Sequence, residues 1–548
     1  MPEQTYDVIV IGSGAGGLTA ALALAQAGKK VLVIEQHEVP GGWCHSFTLE
    51  GYRFSPGVHY IGGVQPGGQL ANVYRGLGVS KHMTFCEINP EGFDHIFIGE
   101  ERFDIPKGRD KFIQRLVERF PHEENGIRRY MDTVTEIMLS TRRIRPPKSL
   151  RGAMRSAKAV FTLLKWGLRT GAGLINSHVK DPILRAILAG QSGDHGLPPS
   201  QVSAGVHAGI VQHYFNGGYY PLGGAFTIPR AFVRELKAAG GEILLSSRVH
   251  EIIIENKRAR GIILEDGRVI RAGTIVSNAD PEVTFGGMVG RAHLSSRLKR
   301  KLDRVSYSVS SLSLFLAVDM DLKAAGFDSG NYWFYDHDDL DTIYAEGFRI
   351  EHLEVRTPPA MFMTVTTLKD PSKMHNRHHT LEVFAFSSFD DFKLWEGQPS
   401  GDRAPDYPAL KSQIANAILA GLEKRVPGIS KFVVFCDLGT PLTNRHYLEA
   451  TKGNLYGIAK NRWQVGPGAF PVKTEIDGLF MCGASTVSHG VAGATGSGLA
   501  AARAILNCST ADLFTQKGPE IEILPSEDTS QWPVNLQEKI ARGQGIIP

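Results

Sequence analysis

The sequence predicts an α/β fold, and three observations carry that prediction. Tyr6 to Ile11 is a short apolar run with β-branched residues; it ends in Gly12-Ser13-Gly14-Ala15-Gly16-Gly17, and Leu18 to Ala27 follows, rich in Ala and Leu. That order reads as a buried parallel strand, a tight turn and a helix. Near the other end, Leu479 to Cys482 runs into Gly483 and a second glycine-rich turn, with a helix starting near Gly493. Between them, Ser308 to Val318, Met361 to Thr367 and His379 to Ser387 read as sheet strands. The expected architecture is a Rossmann-type nucleotide-binding domain, a mixed-sheet second domain and a helical lobe.

The first turn is the most specific element. Gly12, Gly14 and Gly17 fit G-x-G-x-x-G. The first glycine permits the turn, the second lets backbone approach a pyrophosphate, and the third lets helix and strand pack closely. The helix N-terminus offers free N–H groups to phosphate. Lys29 to Ile34 is a second strand, closed by Glu35. A carboxylate there accepts from a ribose 2′-OH and repels a 2′-phosphate. Strand, turn, helix and acid together point to a dinucleotide site, whereas the glycine pattern alone would be weak. A second pair, Gly41-Gly42, gives backbone access further along the same ligand.

Along the rest of the chain, Phe93 to Phe103 reads as a hairpin and Lys107 to Phe120 as an amphipathic helix. Asp266-Gly267 marks a hairpin turn between strands in 241–281. Strands rich in aromatics and methionine within 305–450 suit the wall of an apolar tunnel. The acidic run Asp336, Asp338, Asp339 and Asp341 does not have calcium-loop spacing, so no metal site is expected. The five cysteines are scattered without C-x-x-C, which suits a reducing compartment. No apolar run reaches the ~18–20 residues of a membrane-spanning helix.

Charge is concentrated in one place. No Asp or Glu occurs between Glu136 and Asp181, while Arg142, Arg143, Arg145, Lys148, Arg151, Arg155, Lys158, Lys165, Arg169 and Lys180 do. Val160, Phe161, Leu163, Leu164, Trp166 and Leu168 are interleaved with them. A basic helix with an apolar face is the composition of an interfacial membrane anchor. A solvated basic helix over the core is the alternative. No nucleic-acid recognition motif accompanies the charge.

Several blocks resemble a known family. EQHEVPGGWCHSF, Gly57-Val58-His59-Tyr60 within GYRFSPGVHYIGG, Gly217-Gly218-Tyr219-Tyr220-Pro221-Leu222-Gly223-Gly224 and GLFMCGASTVSHGVAGATGSG resemble the FAD-dependent phytoene desaturase, carotenoid isomerase and retinol saturase family, with a lean toward retinol saturase. Trp43 and Cys44 stand where flavin amine oxidases of this superfamily carry Arg after the glycine pair, and Ser55-Pro56 stand where relatives carry an aspartate. The resemblance implies FAD. It places Gly12, Gly14, Ala15, Gly16, Gly17, Glu35, Gln36, Gly41, Gly42, Val249, Gly483, Val491 and Ala492 at the cofactor. It also implies a division into an FAD-binding domain (1–75, 222–300 and 468–508), a substrate domain (76–136, 181–221 and 301–467), a basic membrane-contact segment (137–180) and a C-terminal extension (509–548).

The expected activity is an FAD-dependent oxidoreductase acting on carbon–carbon double bonds of a polyene isoprenoid, a carotenoid or retinoid. His59, His213, Tyr214 and His489 are the candidate catalytic residues, a His being a proton donor near neutral pH. The absence of a second G-x-G-x-x-G calls for a diffusible electron donor or acceptor. Four other classes remain open at this level: a redox-neutral carotenoid isomerase, a flavin amine oxidase, an NAD-dependent dehydrogenase and a non-enzymatic lipid-binding flavoprotein. The expected location is cytoplasmic and peripheral to a membrane.

Overall fold

A computed structural model describes residues 5–143, 150–347, 350–351 and 354–542. Strand β1 (Thr5–Ile11), helix α1 (Ala15–Gln26) and strand β2 (Val31–Ile34) form the expected opening unit. β1 lies between β2 and Val269–Ser277, parallel to both. Val8 and Val10 pair with Val31 and Val33, so the apolar runs of the sequence meet in register. The sheet has seven strands, ordered Val249–Glu255, Arg258–Leu264, Val269–Ser277, β1, β2 and Glu242–Leu244, with Leu479–Met481 also paired to Val269–Ser277. Its strands therefore come from three distant parts of the chain. β2 is buried throughout and β1 over most of its length, as expected for a parallel sheet covered on both faces.

A second seven-stranded sheet is ordered Val433–Gly439, Ser310–Val318, His379–Ser387, Ala360–Val365, Asn331–Tyr335, Asp94–Ile98 and Glu101–Ile105. All pairs are antiparallel except Asn331–Tyr335 with Asp94–Ile98. Phe362 and Phe384 face each other across neighbouring strands, which builds an aromatic floor.

Helices Glu124–Arg143 and Leu150–Gly167 occupy the basic stretch. Arg145 and Lys148 lie outside the described residues, as do the side chains of Arg142, Arg151 and Arg155. The second helix leaves Phe161 and Leu164 each 67% exposed and Leu168, just beyond it, 61% exposed. Trp166 departs from the expectation of an outward-facing anchor. It is only 5% exposed, packed into the core, with Lys165 and Arg169 about its ring at 5.0 and 5.1 Å. Burial of its large apolar ring outweighs exposure, and the two cations cover what remains. The exposed tryptophan is Trp463, at 67%. Its neighbour Arg462 donates from Nη1 to the Leu168 carbonyl at 3.4 Å, which brings Trp463 to the same surface. No helix among the described residues is long and apolar enough to cross a membrane.

The described part of the C-terminal extension, 509–542, is docked against the rest of the chain. Glu522–Pro525 adds a parallel strand to Thr84–Glu87, and Trp532 is buried with its indole N–H donating to Pro525 O at 2.7 Å. Ser526 Oγ donates to Lys369 O at 2.8 Å. The isolated sequence of this segment carries little apolar periodicity; one strand pairing and one aromatic anchor suffice to dock it.

Candidate active site

The glycine turn is built around a residue that the sequence did not mark. Asn278 follows the strand beside β1, and its N–H donates to Ile11 O at 2.8 Å. A Cβ on Gly14 would lie 2.7 Å from Asn278 Nδ2, one on Gly16 2.7 Å from Asn278 Oδ1, and one on Gly17 2.1 Å from Gly12 O. The second glycine pair leans on the first turn: a Cβ on Gly42 would sit 3.3 Å from Gly14 Cα. Gly483 joins from the other end of the chain, its N–H donating to Ser497 Oγ at 2.7 Å. The cradle thus has bare backbone from three segments, which is the form a pyrophosphate needs.

Glu35 is held by three donors. Ser13 N–H and Ser13 Oγ–H reach Oε2 at 2.9 and 2.5 Å, and His37 N–H reaches Oε1 at 2.9 Å. Gly41 N–H donates to Ser13 Oγ at 3.1 Å, so the acid, the first turn and the second pair form one network.

A cavity of about 710 Å³ runs over this cradle and is lined by residues of both sheets. Gly12, Gly14, Ala15, Gly16, Glu35, Gln36, Gly41, Gly42, Val249, Gly483 and Val491 line it; Gly17 and Ala492 do not. Gly17 instead packs helix against strand. The same cavity is walled by His59, Asp194, Trp333, Phe362, Phe384 and Phe386. Cys44 lines it as well, and burial alone pushes its thiol up to about 12, so it is no nucleophile at neutral pH.

The four candidate catalytic residues separate in space. His59 is in the cavity wall, its ring 4.6 Å from that of Phe384, and its Nδ1 lies 2.9 Å from Glu382 Oε2. Glu382 is fully buried and also accepts from Ser55 N–H at 2.7 Å. His213 and Tyr214 do not line the cavity. His213 Nε2 accepts from Gly62 N–H at 2.9 Å, and burial lowers it to about 4, which fixes it as a neutral structural acceptor. Tyr214 stacks on Tyr60 at 4.4 Å. His489 caps the helix Gly490–Leu506 and donates from Nε2 to Asp194 O at 2.9 Å; burial, the largest cause, takes it to about 3. Its Nδ1 is buried without a partner among the described residues.

Behind the wall is a buried charge network that sequence reasoning missed. Lys369 is fully buried, donates from Nζ to His59 O at 2.7 Å and to Asn331 Oδ1, and is lowered to about 7 by burial. Lys373 donates to Tyr220 Oη at 2.8 Å and is lowered to about 8 by the same cause. Asp370 accepts from Gly223 N–H at 2.7 Å. In sequence these residues sit in TTLKDPSK, which looks like a solvated turn. Their only signal is that they follow a largely apolar strand, Ala360–Val365.

A family model described as flavin containing amine oxidoreductase matches residues 15–506. The all-trans-retinol 13,14-reductase of Danio rerio is 30% identical over 92% of this chain and 87% of its own. The chloroplastic prolycopene isomerase of Arabidopsis thaliana is 30% identical over 88% of this chain and 79% of its own. Among solved structures, putrescine oxidase superposes with a TM-score of 0.61 at 16% identity, over 92% of this chain and all of that one. That likeness concerns the fold alone.

Proposed function

This chain belongs to the flavin containing amine oxidoreductase family, and from that premise we propose that it saturates a carbon–carbon double bond of a polyene isoprenoid, a retinoid or carotenoid. The protein is an FAD-dependent oxidoreductase. The glycine cradle fits FAD: a Cβ at Gly14 or Gly16 would strike Asn278 and one at Gly42 would press on Gly14, so the packing keeps bare backbone where a pyrophosphate would lie. The turn Gly12–Gly17 and the α1 N-terminus would hold the pyrophosphate, Glu35 the ribose, and the Gly483 turn with the helix Gly490–Leu506 the flavin end. When bound, FAD supplies hydride exchange at N5.

The observation that carries the substrate class is the cavity wall. Trp333, Phe362, Phe384 and Phe386 face the same space as the cradle, and an aromatic wall accommodates a conjugated chain by contact area without demanding a charged end. His59, oriented by Glu382, adds one polar group to that wall. The relatives named for retinol reduction and prolycopene isomerisation support the same class.

The test is anaerobic incubation with retinoid and carotenoid panels in liposomes, with the flavin reduced or oxidised. Gain of two hydrogens with reduced flavin is the expected product. Loss of two hydrogens would reverse the direction, and an isomer of unchanged mass would favour the isomerase. Oxidation of amines with every polyene untouched would overturn the substrate class.

We further propose that the substrate is drawn from a membrane surface. Phe161, Leu164, Leu168 and Trp463 are exposed apolar side chains, the first three close in sequence and Trp463 tied to Leu168 through its neighbour Arg462, and Lys158, Lys165 and Arg169 are exposed beside the first three. Burying each large side chain contributes ~1.5–3 kcal/mol, and each cation ~1 kcal/mol near anionic lipid. The double variant Phe161→Asp, Leu164→Asp is expected to weaken binding to anionic vesicles by ~100-fold or more. Trp463→Ala should weaken it by ~10-fold. Vesicle affinity within twofold of wild type for both would sink the proposal.

A further inference from the structure

Two carboxyl groups share one phenol. Tyr60 Oη lies 3.0 Å from Asp94 Oδ2 and 2.7 Å from Asp194 Oδ2. A phenol carries one proton and donates to one partner at a time. If both carboxyls were ionised, an anion would face a phenol lone pair at hydrogen-bond distance. The geometry is satisfied only when one carboxyl is itself protonated and donates to Tyr60.

The remaining partners decide which. Asp94 Oδ1 accepts from Asn331 Nδ2 at 2.9 Å and from Trp333 Nε1 at 3.1 Å, and its Oδ2 accepts from Gln191 Nε2 at 2.7 Å. Burial raises Asp94 as well, but three N–H donors and Tyr60 oppose it and favour its anion. Asp194 has Tyr60 as its one side-chain hydrogen-bond partner among the described residues. It lines the cavity, so its accessible surface opens toward bound ligand.

We infer that Asp194 is the neutral acid of the chain Asp194–Tyr60–Asp94 and is the proton donor to the substrate alkene. The inference rests on the saturation reading above. In saturation, one alkene carbon gains hydride from reduced flavin. Asp194 turns its O–H from Tyr60 toward the cavity it lines; that O–H bond breaks, its proton bonds to the neighbouring carbon, and Asp194 is left as a carboxylate. Tyr60 then turns its O–H from Asp94 to Asp194, so the new anion keeps a donor. Water then returns a proton to Asp194, and Tyr60 turns back to Asp94, which restores the starting chain.

The surroundings favour the neutral acid. Burial and the Asp94 charge raise Asp194 to about 8, opposed by Tyr60 and Lys369. The other groups facing it are the phenols of Tyr214, Tyr335, Tyr344 and Tyr456, all raised by burial and uncharged at neutral pH. His489, on the Asp194 carbonyl, is neutral as well. Asp194 thus loses its proton as pH rises through about 8, and saturation should fall with it.

The test uses the FAD-loaded protein and Asp194→Asn. Infrared spectra of wild type at pH 7 should show a protonated-carboxyl C=O band that disappears above pH 9 and is absent from the variant. Saturation of the polyene should drop ~100-fold or more in Asp194→Asn, with the flavin spectrum and substrate Kd unchanged. Tyr60→Phe, which keeps the ring, removes the group that lowers Asp194, so the alkaline limb of activity and the infrared titration should both move upward. An unchanged carboxyl band in Asp194→Asn, or saturation within threefold of wild type, overturns the inference. If wild type changes no polyene, the substrate reading fails separately, and the infrared band still decides whether Asp194 is the acid.

Discussion

Replacing Gly17 with Ala should give a colourless protein. The added Cβ would stand 2.1 Å from Gly12 O and 3.2 Å from Asn278 Cβ. Neither neighbour is a flexible chain end: one is backbone inside the turn, and the other begins the side chain that supports Gly14 and Gly16. Helix α1 must therefore move away from β1, and the turn that lines the cavity moves with it. Overpacking of this kind costs ~1–3 kcal/mol in a core, and here the displaced atoms are those that meet the pyrophosphate. Gly498→Ala should act the same way from the other side, since its Cβ would be 2.2 Å from Gly16 O, where Gly490–Leu506 crosses α1. Gly496 is the control. It lies two residues earlier in the same helix with open space around it, so Ala there should be neutral or stabilise by up to ~1 kcal/mol. Bound flavin absorbance and Tm separate the three variants. Normal flavin content in both Gly17→Ala and Gly498→Ala would show that close backbone approach is not what holds the cofactor.

Lys369→Met should be the most destabilising single change behind the cavity wall. It removes the donor to His59 O and Asn331 Oδ1 and a cation that faces Asp94 and Glu382. Breaking a buried charge arrangement from one side costs ~3–5 kcal/mol. The loss should depend on pH in a defined direction. Burial lowers Lys369 to about 7 in the folded protein, against ~10.4 when unfolded. Between those values the unfolded chain binds a proton that the native state does not, so native stability from this group rises with pH. The penalty is full below about 7 and is relieved toward pH 10. Wild type should therefore gain ~2 kcal/mol relative to the variant between pH 7 and pH 9. Lys460 is lowered in the same sense, but it is present in either protein and cancels in the difference. Denaturation midpoints that differ by a constant amount across that range would refute a lowered, buried Lys369.

These two predictions draw on different kinds of information. Gly17 is marked in the sequence by its spacing from Gly12 and Gly14, because a phosphate-binding turn has a fixed local geometry that only glycine tolerates. Glu35 is legible for the same reason: one helix and one strand separate it from the turn. Lys369 is not legible. Its role comes from Asn331, His59 and Asp94, which the second sheet brings together from three segments. Asp194 likewise reads in sequence as one polar residue in GQSGDHG; the phenol shared with Asp94 makes it notable. His213 shows the converse, since it has the chemistry of a proton donor but its ring nitrogen is committed to Gly62 N–H.

By itself, then, the sequence determined the dinucleotide-binding unit and the apolar character of the second sheet. Those features rest on local backbone geometry and strand periodicity, which neighbouring residues encode. Tertiary structure alone decided which polar groups face the cavity, why Asn278 supports the glycine turn, and that Trp463 rather than Trp166 is the outward tryptophan. Each depends on contacts between residues far apart in the chain, and the burial and hydrogen bonding that set their chemistry exist only after those segments have packed.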